Sequence, residues 1–277
     1  MGIELASWTV KDLSLEAIAE SGQVFTWKKV NKGNALSWRI SSGAKLCMAT
    51  QTENVIRIVS LDGRELGEND LSYWHHYLAL DDNYPVMLTE LRASGLLNDE
   101  LYAAARGIRI LHQKWWDVAV SFVISQNSNI IRIQHTMDEL MALGKPVGTV
   151  PSPCCLHELL TNPDICTRLR LGYREQYLRE LSRRAAAGWS PLALKRPYAP
   201  LDVQMRELEE LPGIGAKVAS CICLYGLGYL NAVPRDVWIK RAEENQKITW
   251  HPRLGGIQQQ FIFSWIRGEQ AKSSTTH

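Results

Sequence analysis

The chain has 277 residues, 45% of them hydrophobic and 22% charged, with 31 Lys and Arg set against 29 Asp and Glu. That length leaves room for one large core or two ordinary ones. A net charge of +2 permits a nucleic-acid partner without implying one, so a case for DNA rests on local arrangement. In chain order, residues near 12–19, with Leu13, Leu15, Ile18 and Ala19, suit an opening helix. Residues 23–27, 37–40 and 55–60 are short runs rich in β-branched and aromatic side chains. Turn signals at Lys32-Gly33-Asn34, Ser42-Gly43 and Asp62-Gly63 separate them, as in antiparallel β-structure.

From about Pro85 the period becomes helical. Residues 115–124 form an apolar helix broken by Gln126-Asn127-Ser128-Asn129. Ile130, Ile133, Met137, Leu140 and Met141 then follow one buried helix face. Tyr173, Tyr177, Leu178 and Leu181 mark another helix between Gly172 and Gly188, while residues 142–153 and 190–200 read as connections. The plan is α+β: an N-terminal antiparallel β-rich domain (1–90), a helical domain (91–268) and a polar tail (269–277).

Six cysteines, Cys47, Cys154, Cys155, Cys166, Cys221 and Cys223, form no CxxC pair, which argues against a zinc site. The N-terminus lacks the basic start and apolar run of a signal peptide, the pattern begun by Met1-Gly2 fails for myristoylation at Ala6, and no run approaches a membrane span. An intracellular location with reduced thiols is the expectation.

The segment that carries chemistry is a helix–hairpin–helix at about 202–227, with the turn Leu211-Pro212-Gly213-Ile214-Gly215 between its helices. Gly213 and Gly215 let the backbone approach a phosphate, and the second helix turns its N-terminal amides toward that anion. Taken alone, such a Gly-x-Gly is more often an ordinary αα-turn. Lys217 at the start of the second helix opposes the helix dipole, a poor place for a solubilising cation and a reasonable one for a nucleophilic amine. Asp236, after Pro234-Arg235, suits an N-cap, which would also fix its carboxylate in space.

Residues 211–219 together with Val233-Pro234-Arg235-Asp236-Val237 resemble the signature of the helix–hairpin–helix DNA glycosylases, and within them the 8-oxoguanine DNA glycosylase branch. Gly22-Gln23-Val24-Phe25-Thr26-Trp27, the stretch 121–132, Leu171-Gly172-Tyr173-Arg174 and Gln259-x₃-Phe263 resemble that branch in the same order along the chain. The resemblance implies a base excision repair enzyme that flips 8-oxoguanine out of duplex DNA, attacks with Lys217 and cuts the strand by β-elimination, with Asp236 stabilising charge on the sugar. It implies that the Gly22 carbonyl meets N7–H of the lesion, that Cys221 and Phe263 sandwich the base and that Gln259 bonds its Watson–Crick edge. Tyr173 becomes a wedge, and Asn127, Arg132 and Arg174 read the estranged cytosine.

By the same resemblance the enzyme is monomeric and needs neither cofactor nor iron–sulfur cluster, while carbonyls of Glu209, Leu211 and Ile214 are where relatives cradle a monovalent or calcium ion. Trp238 departs from the pattern, standing where some relatives carry a phosphate-binding histidine, a contact that Lys240 or Arg241 would take over. Two other readings share the hairpin. One is an endonuclease III-like enzyme, disfavoured because no cysteine follows Cys223 to build a cluster. The other is a DNA-binding module without catalysis, which leaves Lys217 and Asp236 idle.

Overall fold

A computed structural model describes residues 6–32, 35–61, 65–193, 199–245 and 247–274. Its α+β architecture is the one expected: a five-stranded antiparallel sheet at the N-terminus, then helices. The strands are β1 (Ala6–Thr9), β2 (Trp27–Lys32), β3 (Ala35–Ser42), β4 (Lys45–Thr52) and β5 (Val55–Ser60), in the order β1-β5-β4-β3-β2. Register places Ile40 opposite Cys47 and Trp38 opposite Ala49, so these side chains share one buried face with Ile56 and Ile58.

Helix α1 (Leu15–Glu20) is capped by the Ser14 hydroxyl, which accepts from Ala17 N. Helices α2 (Glu68–Tyr77), α3 (Tyr84–Ala93) and α4 (Asp99–Ala104) follow the sheet. The helical bundle continues with α5 (Trp115–Ile124), α6 (Ile130–Met141), α7 (Pro153–Leu159), α8 (Pro163–Leu169) and α9 (Arg174–Ala186). Its last members are α10 (Leu201–Glu209), α11 (Ala216–Cys221), α12 (Val237–Asn245) and α13 (Gly255–Ser274).

Several expectations change. Strands β1 and β4 are additions to the expected set: β1 is only four residues long, and Lys45-Leu46-Cys47-Met48-Ala49-Thr50-Gln51-Thr52 is poor in β-branched residues, so that only its buried Cys47 and Ala49 declare an inner face. Residues 23–26 are not a strand: they bend into β2, whose pairing begins only at Trp27, and they place Val24 in one core and Phe25 in the other. After the sheet, the helical part begins at Glu68 rather than Pro85; the buried side of α2 carries Trp74 and Tyr77, whose aromatic character masks a helix. Helices α7 and α8 also lack the long apolar stripe that would have announced them. The polar residues after Gly268 continue α13 to Ser274 instead of fraying. The turns at Gly33-Asn34 and Asp62-Gly63 and residues 194–198 lie outside the described residues.

Two apolar cores result. Trp27, Trp38, Ile40, Ile56, Ile58, Trp74, Tyr77 and Leu78 pack under the sheet, and a larger cluster fills the helical bundle. Consecutive residues Leu78 and Ala79 belong to different cores, as do Ile110 and Leu111, while residue 90 lies inside α3. Among the described residues no helix is long and apolar enough to cross a membrane.

Candidate active site

Leu208, Leu211, Ile214 and Val218 bury the inner side of the α10–α11 hairpin. Gly213 is left-handed, with φ +84°, and the Tyr177 ring lies where its side chain would be: a Cβ would come 2.1 Å from Tyr177 Cγ. The Gly213 carbonyl accepts from Gln126 Nε2 at 2.9 Å, which fixes the hairpin to the turn between α5 and α6. Gly215 is extended and caps α11. After Cys221 the chain passes into a π-turn, Ile222–Gly226, instead of continuing as an α-helix to residue 227.

Lys217, the second residue of α11, turns its amine to α5. Lys217 Nζ lies 3.4 Å from Ser125 Oγ and 4.8 Å from the centre of the Phe122 ring. Phe122 is itself held by Tyr225, stacked at 5.5 Å, and by Phe25 edge-on at 5.7 Å. The amine therefore faces a hydroxyl and an aromatic face.

Asp236 caps α12. Its Oδ1 accepts from Trp238 N at 3.0 Å and from Ile239 N at 2.9 Å, an arrangement that fixes the carboxylate and leaves its second oxygen outside the cap. Cys221 lies within the fields of both groups: burial pushes its thiol up to about 11, Lys217 draws it down and Asp236 raises it.

A cleft of about 1230 Å³ gathers Gly22, Asn127, Tyr173, Gly215, Lys217, Asp236, Trp238 and Phe263, which come from both ends of the chain. Gly22 has φ +79°, and a Cβ there would lie 3.2 Å from Phe263 Cε1. Its loop is clamped on both sides. Gln23 is fully buried and bonds Arg109 O, Leu111 N and Gln113 Nε2, and Gln260 of α13 donates to Ser21 O at 2.7 Å. Gln260 Oε1 accepts from Tyr225, so one network joins the Gly22 loop, α13 and the π-turn behind Lys217.

Other residues singled out in the sequence stand elsewhere. Cys221 and Gln259 are buried behind the cleft wall, and Gln259 Oε1 has no partner. Arg132 is exposed at the start of α6. Arg174 is only 5% exposed: its Nε donates to Leu171 O, Nη1 to Ile124 O and Gln126 O, and Nη2 to Arg170 O. Four of its five N–H groups are thus spent on backbone, and burial and the nearby Arg132 draw its pKa down. In the hairpin, Leu211 O accepts from Ile214 N at 3.0 Å and keeps one lone pair, which suits a hard cation together with the other carbonyls.

Three participants had been given no role: Phe122 and Ser125, which lie inside the stretch 121–132, and Arg267. Arg267 follows Phe263 by one helical turn, sits 5.8 Å from its ring and donates to Glu20 O at 2.6 Å, which closes the wall beside Gly22.

Residues 7–118 match the family model described as 8-oxoguanine DNA glycosylase, N-terminal domain. The chain is 29% identical over 271 residues to N-glycosylase/DNA lyase OGG1 of Arabidopsis thaliana, covering 90% of this chain and 69% of that protein. It is 26% identical over 258 residues to an N-glycosylase/DNA lyase of Saccharomyces cerevisiae, with 83% and 67% covered. Among solved structures, MBOgg1 in complex with a low-affinity DNA ligand superposes with a TM-score of 0.80 at 25% identity, covering 98% of this chain and 97% of that one.

Proposed function

This chain belongs to the 8-oxoguanine DNA glycosylase/lyase family, and from that premise we propose how its own residues carry the reaction. It is a base excision repair enzyme, a bifunctional DNA glycosylase and AP lyase. The observation that carries the assignment of roles is the meeting of Lys217 and Asp236 with Gly22 and Phe263 in one cleft.

The damaged nucleotide leaves the base stack, since C1′ is out of reach in a duplex. Lys217 Nζ, as the neutral amine, attacks C1′; the bond from C1′ to the base breaks with its electron pair, the base takes up the proton that nitrogen releases, and opening of the C1′–O4′ bond with protonation of O4′ gives the protonated imine. Loss of a C2′ proton then expels the 3′-phosphate by β-elimination. Asp236 stabilises the cationic sugar, and its cap geometry removes the cost of orienting it at that moment.

8-Oxoguanine differs from guanine in a proton on N7, which a backbone carbonyl at Gly22 accepts. Phe263, half-buried beside Gly22, offers one face for stacking, while Cys221 and Gln259, buried behind the cleft wall, take up the sandwich and edge-reading roles only when DNA binding opens that wall. Tyr173 is the wedge. Asn127 and Arg132 read the orphan cytosine, with Arg174 holding the turn that presents them. The hairpin amides around Gly213 and Gly215 take backbone phosphate, and carbonyls of Glu209, Leu211 and Ile214 suit a structural monovalent or calcium ion. The protein acts as a monomer on double-stranded DNA in the nucleoid or nucleus, and lysine chemistry of this kind calls for no cofactor.

The test is trapping. Incubated with borohydride and a duplex carrying 8-oxoguanine opposite cytosine, the protein is expected to form a covalent adduct that Lys217→Ala abolishes. Adduct only with thymine glycol duplexes, or binding without adduct, overturns the assignment.

A further inference from the structure

Ile131 is 80% exposed, the most exposed of the large hydrophobic residues among those described. It also breaks the pattern of its own helix. Along α6, Ile133, Met137, Leu140 and Met141 face inward, whereas Ile131 shares the outer side with Gln134, His135 and Asp138. An isoleucine on a polar face gains nothing from packing within this protein.

Its position is specific. Ile131 lines the cleft together with Tyr173, Val237 and Trp238, which are also exposed large hydrophobic residues. It precedes Arg132 just as Tyr173 precedes Arg174, and the two pairs are brought together. Arg174 donates to Ile124 O at 2.8 Å and to Gln126 O at 3.3 Å, so the start of α9 is fastened to the turn that leads into α6. The α6 start is rigid as well, because Asn129 caps Arg132 N at 2.9 Å.

From this we propose that Ile131 is a second wedge beside Tyr173, inserted on the orphan-strand side of the gap. The inference rests on the DNA glycosylase assignment, since a gap exists only where a base has left the stack. Extrusion leaves apolar base faces wet on both strands, and proteins that open duplexes fill such faces with apolar side chains. Ile131 lies between Asn127 and Arg132 in sequence, the residues given the orphan base, so its side chain enters on that strand. The area lost on truncation to Ala corresponds to about tenfold in a rate or equilibrium constant.

The test uses two duplexes and one single strand. A duplex with a tetrahydrofuran site opposite cytosine, and 2-aminopurine next to that cytosine, reports orphan-strand unstacking without needing excision. Ile131→Ala is expected to lose most of the fluorescence rise on binding and to slow single-turnover excision of 8-oxoguanine about tenfold, with Ile131→Leu restoring both. Borohydride trapping on a single-stranded abasic oligonucleotide, which has no orphan strand, is expected to fall at least fivefold less than duplex excision. Wild-type fluorescence in Ile131→Ala, or equal losses on duplex and single strand, overturns the wedge. Failure of the wild-type protein to excise 8-oxoguanine strikes the glycosylase assignment instead, and the tetrahydrofuran duplex still reads the wedge.

Discussion

The Tyr177 ring fills the space that a side chain at Gly213 would occupy, so α9 and the hairpin are packed through a missing Cβ. Alanine at 213 would meet the ring at 2.1 Å and would also have to hold φ +84°. Overpacking and the left-handed backbone each have a cost, and together they predict a loss of roughly 2–4 kcal/mol for Gly213→Ala. Urea denaturation reads the loss directly, and DNA affinity should fall with it because the hairpin amides move. A variant as stable as wild type would mean that Tyr177 yields freely.

One pair of substitutions separates the cap that Asp236 forms from the charge stabilisation proposed for it. Asparagine caps a helix as well as aspartate does, so Asp236→Asn should keep both bonds to Trp238 N and Ile239 N and leave the melting temperature nearly unchanged. Its excision rate should nevertheless drop on the order of a hundredfold, the scale on which a preorganised charge acts. Asp236→Ala should lose that rate and about 1 kcal/mol of stability besides. Equal rates in Asp236→Asn and wild type would confine Asp236 to its cap.

Much of this site was legible because its chemistry lies close together in sequence. Lys217 follows the hairpin directly, and Asp236 sits where a helix obviously begins. What could not be read depends on distant partners. Ser125 meets Lys217 across 92 positions, and nothing about a serine at the end of α5 announces that. Arg174 shows the same limit in reverse. Its sequence context suggests a free cation, but the last carbonyls of α5 lack helical partners, and Arg174 supplies them. Strand β4 escaped notice because burial of Cys47 and Ala49, rather than β-propensity, makes it a strand.

Thiol accessibility gives a test of the packing around the site. Cys154 is exposed and Cys155 partly so, while Cys47, Cys166, Cys221 and Cys223 are buried. Burial holds the Cys221 thiol up at about 11 and that of Cys223 at about 12, leaving little thiolate at pH 8. Iodoacetamide applied to the native protein should therefore label Cys154 first and Cys155 more slowly, as read by peptide mass spectrometry. Rapid labelling of Cys221 would place its sulfur in an open base pocket before DNA arrives.

Arg132 and Arg174 should differ when the orphan base is changed. Arg132 is solvated and free to turn to a base, so Arg132→Ala should narrow the ratio of excision opposite cytosine to excision opposite adenine while leaving the fold intact. Removing Arg174 strips Ile124 O, Gln126 O, Leu171 O and Arg170 O of their donors at once. Arg174→Ala should lower the melting temperature and slow excision opposite every base together. A selective loss opposite cytosine at unchanged stability would return Arg174 to base reading.

Asp117 couples the same helix to pH. Its carboxyl is buried in α5, accepts from Gly43 N at 2.7 Å through one oxygen, and has no partner on the other. Desolvation raises its pKa to about 7, against the opposing pull of the Gly43 bond and Lys114. A carboxyl raised on folding keeps its proton in the folded protein after the unfolded chain has lost it. Its contribution to stability is therefore complete below about pH 4 and disappears as pH climbs through about 7. Asp117→Asn retains an acceptor for Gly43 N and cannot ionise. Histidines titrate in the same range, so the informative quantity is the difference between variant and wild type. That difference should shift in favour of Asn between pH 5 and pH 8 in parallel urea titrations. Profiles that stay parallel would mean that Asp117 ionises in the folded protein as easily as in the unfolded chain, and that water reaches the joint between α5 and the β3–β4 turn.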